Sequence, residues 1–331
     1  MSLFALITAL LLEQVHPLSS RKYLFGSLYR YVQFFQHHFN GGQLRHGRLA
    51  WLLAVLPLLA GAIVLYLLLC QVHPILAWAF NVLVLYLTMG FRQFSHYFTD
   101  IHHALRDGRL DEARRLLSVW RGIYAHELNA EEVARLTIEQ ALIASHRNVF
   151  GVIAWFVLFS AAGLGGAAGA LLYRLGQFLR RHLRDEDEGH LSGQPDEAGP
   201  EGWVDGKWRS GEFSGFARRA FYLLDWLPVR LTAMTFAIVG NFEDTVYCWR
   251  TQAESWPEED AGILLASGAG ALGVRLGMPI PQGGLPLDRP ELGIGDDADA
   301  DFMQSTIGLV WRSVVFWLIL LLLLTLASLP V

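Results

Sequence analysis

Residues 217–240 read ARRAFYLLDWLPVRLTAMTFAIVG, and the reading of this stretch decides the fold. It is an apolar run long enough to cross a bilayer, for which about 20 residues suffice. Asp225, Pro228 and Arg230 lie inside it. Ionisable groups at membrane depth cost several kcal/mol and persist when they pair or face a polar interior. A proline there removes one backbone donor and bends the helix. Asp225 and Arg230 are five residues apart, a poor helical pair on a straight helix, so each is open to partners elsewhere. Two readings follow: a polar wall of a membrane-embedded cavity, or an internal salt link that fixes helix packing.

The rest of the chain sets the same solvent. Of its 331 residues 53% are hydrophobic and only 17% are charged, where a soluble domain carries roughly a quarter charged. The expected fold is all-α: a polytopic helical membrane protein with about four to five transmembrane helices plus cytoplasmic amphipathic helices. Residues 1–48 read as an entry helix and a basic segment, and MSLFALITALLL lacks the basic start and small-residue cleavage site of a signal peptide. Residues 49–90 read as a transmembrane hairpin turned by QVHP (71–74). Residues 151–240 hold membrane helices with a disordered acidic loop near 185–212, DEDEGHLSGQPDEAGPEG at its heart. GLGGAAGA in the 151–173 run either permits close helix packing or breaks the run into a re-entrant pair. Residues 241–306 read as an acidic Gly/Pro-rich loop, and 307–331 as a last transmembrane helix.

Between the hairpin and residue 150 the pattern is helical but polar. DGRLDEARRLL (107–117) and LNAEEVARLTIEQALIASHR (128–147) place apolar residues at helical spacing, and Asn129 with Glu132 resembles a capping box. Arginines crowd both this region and the segment before the hairpin, which puts both in the cytoplasm with the hairpin crossing and returning.

Other constellations are weaker. His96, Asp100 and His103 share a helical face and have the chemistry of metal ligands, yet interfacial positions at a membrane exit explain them better, and no metal is expected. SGAGALGVRLGMPIPQGG (267–284) is glycine-rich, but it lacks a phosphate-loop lysine and the dinucleotide spacing; taken alone it reads as close packing with Arg275 exposed. Cys70 and Cys248 are the only cysteines, too few for a zinc framework or disulfide scaffold. No basic tract interleaved with aromatics points to nucleic acid.

In order along the chain stand HPL (16–18), ALRDGRLDEARRLLSVWRG (104–122), EEVARLTIEQAL (131–142) and GALLYRLGQFL (169–179). FARRAFYLLDWLPVRLTAMTFAIVG (216–240), DAGILLASGAGALGVRLG (260–277) and RPELGIG (289–295) complete the series. In these motifs the chain resembles the CobD/CbiB family of bacterial inner-membrane proteins, and in LLDWLPVRL its AmpE-like branch. The resemblance implies one of two functions. Cobalamin-pathway members are adenosylcobinamide-phosphate synthases, which use ATP to join aminopropanol or its phosphate to adenosylcobyric acid. AmpE-like members are signalling or accessory proteins linked to β-lactamase induction and cell-wall recycling, without an established reaction.

Several acidic positions of the synthase pattern are substituted here. WRGIYAHEL (120–128) lacks an Arg-Asp pair, and the expected Glu-Asn and Asp fall on Ile143, Ala144 and Arg147. After Tyr173-Arg174, the expected Asn and Asp fall on Gln177 and Arg180. A carboxylate replaced by arginine inverts the local charge, and isoleucine serves neither metal nor proton. The expectation is therefore an AmpE-like protein that keeps the scaffold, with synthase activity, ATP and Mg as the alternative. Candidate ligand-binding residues are Glu139, Tyr173, Arg174, Asp225, Pro228, Arg230 and Arg275. The expected partners are the lipid bilayer and a corrinoid or cell-wall-derived small ligand.

Overall fold

The computed structural model describes residues 2–15, 31, 44–123, 125–192, 203–204, 207–208, 212–282 and 285–327. Most of the basic segment before the hairpin, with the HPL motif, and much of the acidic stretch near 185–212 lie outside these residues.

Helix α1 (Ser2–Val15) buries Leu3, Leu6 and Ala9. Helices α2 (Leu44–Val72) and α3 (Pro74–Thr88) form the expected hairpin. His73 caps α3 by accepting the Ile75 N–H at 3.2 Å, and Pro74 stands in the first turn where no donor is needed. Helices α4 (Phe91–Arg106) and α5 (Leu110–Arg121) are amphipathic, and α5 ends on Gly122 in the left-handed region. Helix α6 (Ala130–Ser145) opens with the expected capping box. Asn129 accepts the Glu132 N–H at 2.8 Å and Glu132 accepts the Asn129 N–H at 2.7 Å.

Helix α6 does not stop at Ser145. It passes through a five-residue π-turn, His146–Phe150, into α7 (Gly151–Ala161). The continuous run Ala130–Ala161 has 32 residues, or about 48 Å at 1.5 Å per residue, against a hydrocarbon core of about 30 Å. The expected boundary at 150 thus falls inside a helix. Gly163 and Gly165, both at positive φ, then turn the chain into α8 (Gly166–Ser192), so the 151–173 run is broken into two helices. A Cβ on Gly169 would stand 2.1 Å from the Trp155 carbonyl oxygen, so the small residues serve both turn and packing.

The short strands β1 (Trp203–Val204) and β2 (Lys207–Trp208) pair before α9 (Glu212–Val239), which carries the 217–240 stretch. The region 241–306, expected to be a loop, is substantially helical: α10 (Phe242–Gln252) and α11 (Glu259–Leu272) occupy its first half. Helix α11 is buried from Asp260 to Ala271, and its glycines explain why. A Cβ on Gly270 would meet the Asp244 carbonyl oxygen at 2.5 Å, and one on Gly262 the Ala253 carbonyl oxygen at 2.2 Å. The glycine-rich motif packs backbone against backbone. Beyond it β3 (Leu276–Gly277) pairs antiparallel with β6 (Glu291–Leu292), bracketing the β4 (Ile280–Gln282) and β5 (Leu285–Leu287) ribbon. Helix α12 (Ala300–Ala327) follows.

Four helical runs among the described residues are long and apolar enough to span: Arg48–Val72, Ala130–Ala161, Gly215–Val239 and Ala300–Ala327. Leu65 and Leu68 on α2, with Leu323 and Leu324 on α12, face outward, as lipid-facing helices require. The protein is an all-α polytopic membrane protein.

Candidate functional site

The π-turn supplies the centre of the site. Such turns interrupt the helical ladder and recur at functional positions. His146, its first residue, is fully buried. Its Nε2 lies 2.8 Å from Asp225 Oδ1, and its Nδ1 lies 2.9 Å from Thr232 Oγ1. Tyr173 donates its phenol proton to the same Asp225 oxygen at 2.8 Å. Thr232 donates to the Pro228 carbonyl at 3.0 Å. The hydroxyl proton is thereby used, so the threonine oxygen accepts from Nδ1–H; this tautomer is assigned from the network. Nε2 and the Asp225 carboxylate form a buried imidazole–carboxylate link.

Pro228 builds this arrangement by what it lacks. Without an N–H it leaves the carbonyl of Leu224, four residues earlier, without its helical donor. The indole N–H of Trp155 on α7 fills that position at 3.0 Å. Gly151 makes room for the phenol, since a Cβ there would stand 2.2 Å from the Tyr173 ring.

Above the centre lies a partly exposed rim. Arg180 pairs with Glu258 at 2.7 Å, and Arg147 approaches the same carboxylate at 3.7 Å. Arg230 lies over the Trp226 ring at 4.3 Å and reaches Glu259 at 3.2 Å, which also accepts from Tyr222 at 2.6 Å. Asp260 is buried beside them, and its Oδ1 has no hydrogen-bond partner among the described residues. Burial first, and then the charge of Asp225, push its carboxyl up to about 6.

The folded protein therefore holds the Asp260 proton where the unfolded chain, at the ordinary value of 3.8, has lost it. Stability from this group is fully present below about pH 4 and falls as pH rises to about 6. Asp260→Asn is expected to stabilise the protein by about 2–3 kcal/mol at pH 7.5 and by almost nothing at pH 4. Thermal unfolding in detergent at the two pH values checks this; equal effects at both would sink it.

Glu139 belongs to a second cluster. Its Oε1 accepts the Gly277 N–H at 3.0 Å, and its Oε2 accepts from Arg121 at 3.1 Å and from Arg289. Arg174 instead bonds Asn148 at 2.9 Å and Gln177 at 2.6 Å. Arg275 pairs with Asp297 at 2.7 Å and approaches Glu291 at 3.8 Å, within its own loop. The His96–Asp100 pair forms at 3.6 Å on the surface, while His103 lies against His102; among the described residues no group of three metal-ligating side chains assembles.

Asp225 and Tyr173 thus meet directly, Pro228 supports them, Arg230 stands on the rim, and Glu139, Arg174 and Arg275 have other partners. His146, Thr232, Glu258 and Asp260 were not among the expected residues. The signal for the last two was present, because an acidic pair followed by Asp260 opens the apolar run of α11.

These features define a class: a polytopic helical membrane protein with a buried imidazole–carboxylate–phenol centre beneath an arginine–carboxylate rim. The family model described as CobD/Cbib protein matches residues 4–179. The chain is 34% identical to cobalamin biosynthesis protein CobD of Stutzerimonas stutzeri, over 97% of this chain and 98% of that one. It is 33% identical to cobalamin biosynthesis protein CobD of Chromobacterium violaceum, over 74% and 70%. With cobalamin biosynthesis protein CbiB of Salmonella arizonae it shares 26% identity over 73% and 69%. The chain belongs to the CobD/CbiB family. No solved structure matches it.

The matches correct the expectation of an AmpE-like signalling or accessory role, because these relatives are named for cobalamin biosynthesis. That expectation rested on substituted acidic positions in one linear pattern. In the fold, Arg147 and Arg180 meet a carboxylate brought from a different stretch, Glu258.

Proposed function

We propose that this chain is an adenosylcobinamide-phosphate synthase, forming the amide between the carboxyl of adenosylcobyric acid and the amine of aminopropanol or its phosphate. The observation that carries the reading is the similarity, along nearly its whole length, to a protein named for cobalamin biosynthesis. The site chemistry supports it. Arg147, Arg180 and Arg230 provide cations to orient a substrate carboxylate. Glu258 and Glu259 hold those guanidinium groups and present negative charge to an approaching ammonium group. Asp260, with its carboxyl near 6, is suited to take the proton the amine must lose before attack. The His146–Asp225–Tyr173 network beneath fixes the helices that carry the rim.

ATP, when bound, supplies the phosphoryl group that makes a carboxyl oxygen a leaving group. The residues present fit Mg²⁺ only as an ion carried on phosphates with one or two rim carboxylates, since no larger donor set assembles among the described residues. The arginine-rich α4–α6 layer faces the cytoplasm of a bacterial inner membrane in this reading. In the same reading the loop after α11, which contacts Glu139 through Gly277 and Arg289, lies on that side too.

The test is growth of a strain lacking the cobalamin amide synthase on cobyric acid with aminopropanol, backed by mass spectrometry of product from purified protein. Rescue and product are expected. No growth together with no product would overturn the assignment.

A further inference from the structure

Glu139 is outnumbered. Arg121 and Arg289 both bond its carboxylate, and Arg135 lies one helical turn before it on α6. Arg121 and Arg135 both act on the Arg289 guanidinium, which burial holds below its ordinary value. Among the described residues no other carboxylate pairs with any of the three, so three guanidinium groups surround one negative charge. Charge buried at this density is stable only when it is compensated.

The hydrogen bonds are also incomplete. Arg135 is 7% exposed, its Nη1 donates to the thioether of Met278 at 3.3 Å, and its Nε has no partner among the described residues. Sulfur is a weak acceptor for a guanidinium donor. Arg289, with 9% of its side chain exposed, has no partner for Nη1 among the described residues, while its guanidinium lies 5.0 Å over the Trp256 ring. Buried donors left unmade cost free energy, so two in one cluster point to a missing acceptor. Met278 adds backbone strain: its φ of 65° is a left-handed conformation that a methionine rarely adopts. Arg121 is 21% exposed on its side chain and opens the cluster to solvent.

We propose that Arg121, Arg135 and Arg289 form an anion site that binds the phosphoryl group of a substrate. Planar guanidinium forks match phosphoryl oxygens, and the two orphan donors become satisfied. Glu139 holds the forks apart and keeps the empty site from carrying its full positive charge. The site lies on the working face of the protein, because Glu139 and His146 are seven residues apart on one helix, about 10 Å along its axis. A ligand anchored there by phosphate would extend toward the His146 centre. The inference rests on the synthase reading for which phosphate is bound, that of the aminopropanol substrate or of the nucleotide.

The test uses the full chain in nanodiscs of a neutral lipid, titrated with inorganic phosphate, pyrophosphate, aminopropanol phosphate and ATP, with binding read by calorimetry and thermal unfolding. A parallel arm replaces the neutral lipid with an anionic phospholipid. At least one phosphoryl compound is expected to bind, with affinity falling tenfold or more in Arg135→Gln and less in Arg289→Lys, which keeps the charge. The compound that saturates at the lowest concentration identifies the source; stabilisation by the anionic lipid alone would assign the site to a headgroup. No binding in any arm, or binding unchanged in both variants, would overturn the inference. Should Arg135→Gln fail to fold, Arg289→Lys carries the test. Failure here leaves rescue of the cobalamin strain untouched, whereas loss of rescue with intact phosphate binding tells against the synthase reading alone.

Discussion

Asp225→Asn is expected to cut amide formation about 100-fold, the scale on which a shift of about 1 Å in the reacting groups, caused by a residue away from the chemistry, costs rate. The substitution preserves volume but replaces the carboxylate that His146 and Tyr173 share with a neutral amide. Two hydrogen bonds converge on one oxygen of this carboxylate, from His146 and from Tyr173, each at 2.8 Å. Asp225→Ala leaves both groups buried and unpaired, and is expected to destabilise the protein by about 3–5 kcal/mol. Tyr173→Phe removes the phenol's bond to Asp225 and its longer contact with His146 Nε2 at 3.4 Å, and is expected to cost about 1–2 kcal/mol. Measuring product formation beside thermal unfolding separates the effects. If Asp225→Asn made product at the wild-type rate, the rim would not depend on this centre and its positioning role would be lost.

The part of this centre legible in the sequence was the part that membrane energetics exposes. Asp225 and Arg230 stood out because charge is costly in an apolar run, and both are held by partners in the fold. His146 escaped notice for the opposite reason. It sits where an amphipathic pattern ends, among Ser145, Arg147 and Asn148, where a histidine looks like surface. Only the π-turn, which no side-chain pattern announces, rotates it inward between α8 and α9. Element types in the first half were readable from period and caps, as the Asn129–Glu132 box shows. The second half misled because glycine carries two meanings. Across 241–306 the Gly/Pro content suggested a loop, although the 267–284 motif taken alone read as close packing; Gly262 and Gly270 are helical residues in close approach.

The same limit explains the missing carboxylates. A linear pattern assigns an acidic group to a position, whereas the chemistry needs it at a place. Arg147 and Arg180 occupy positions where acids were expected, and Glu258 stands within reach of both. One carboxylate from a neighbouring element thus stands beside both arginines, although the linear motif has no acid at either position. Function read from substituted positions alone therefore underestimates what the fold retains.

Glu139→Gln is expected to have the second large effect, and its rescue is the informative part. The change removes the carboxylate that Arg121 and Arg289 share and leaves their charges in a mostly buried cluster with Arg135. The cost is expected at about 3–5 kcal/mol in anion-free buffer. Adding Arg289→Gln removes one of the stranded charges, so the double variant is expected to be more stable than Glu139→Gln alone, although it carries one more substitution. A phosphoryl ligand bound to the arginines supplies the lost negative charge. At a concentration 100 times its dissociation constant it is expected to restore about 2.7 kcal/mol. Thermal unfolding of wild type, single and double variants, with and without pyrophosphate, reads all of these. A double variant less stable than the single, together with no recovery by pyrophosphate, would show that Glu139 acts through the Gly277 backbone contact and not by balancing charge.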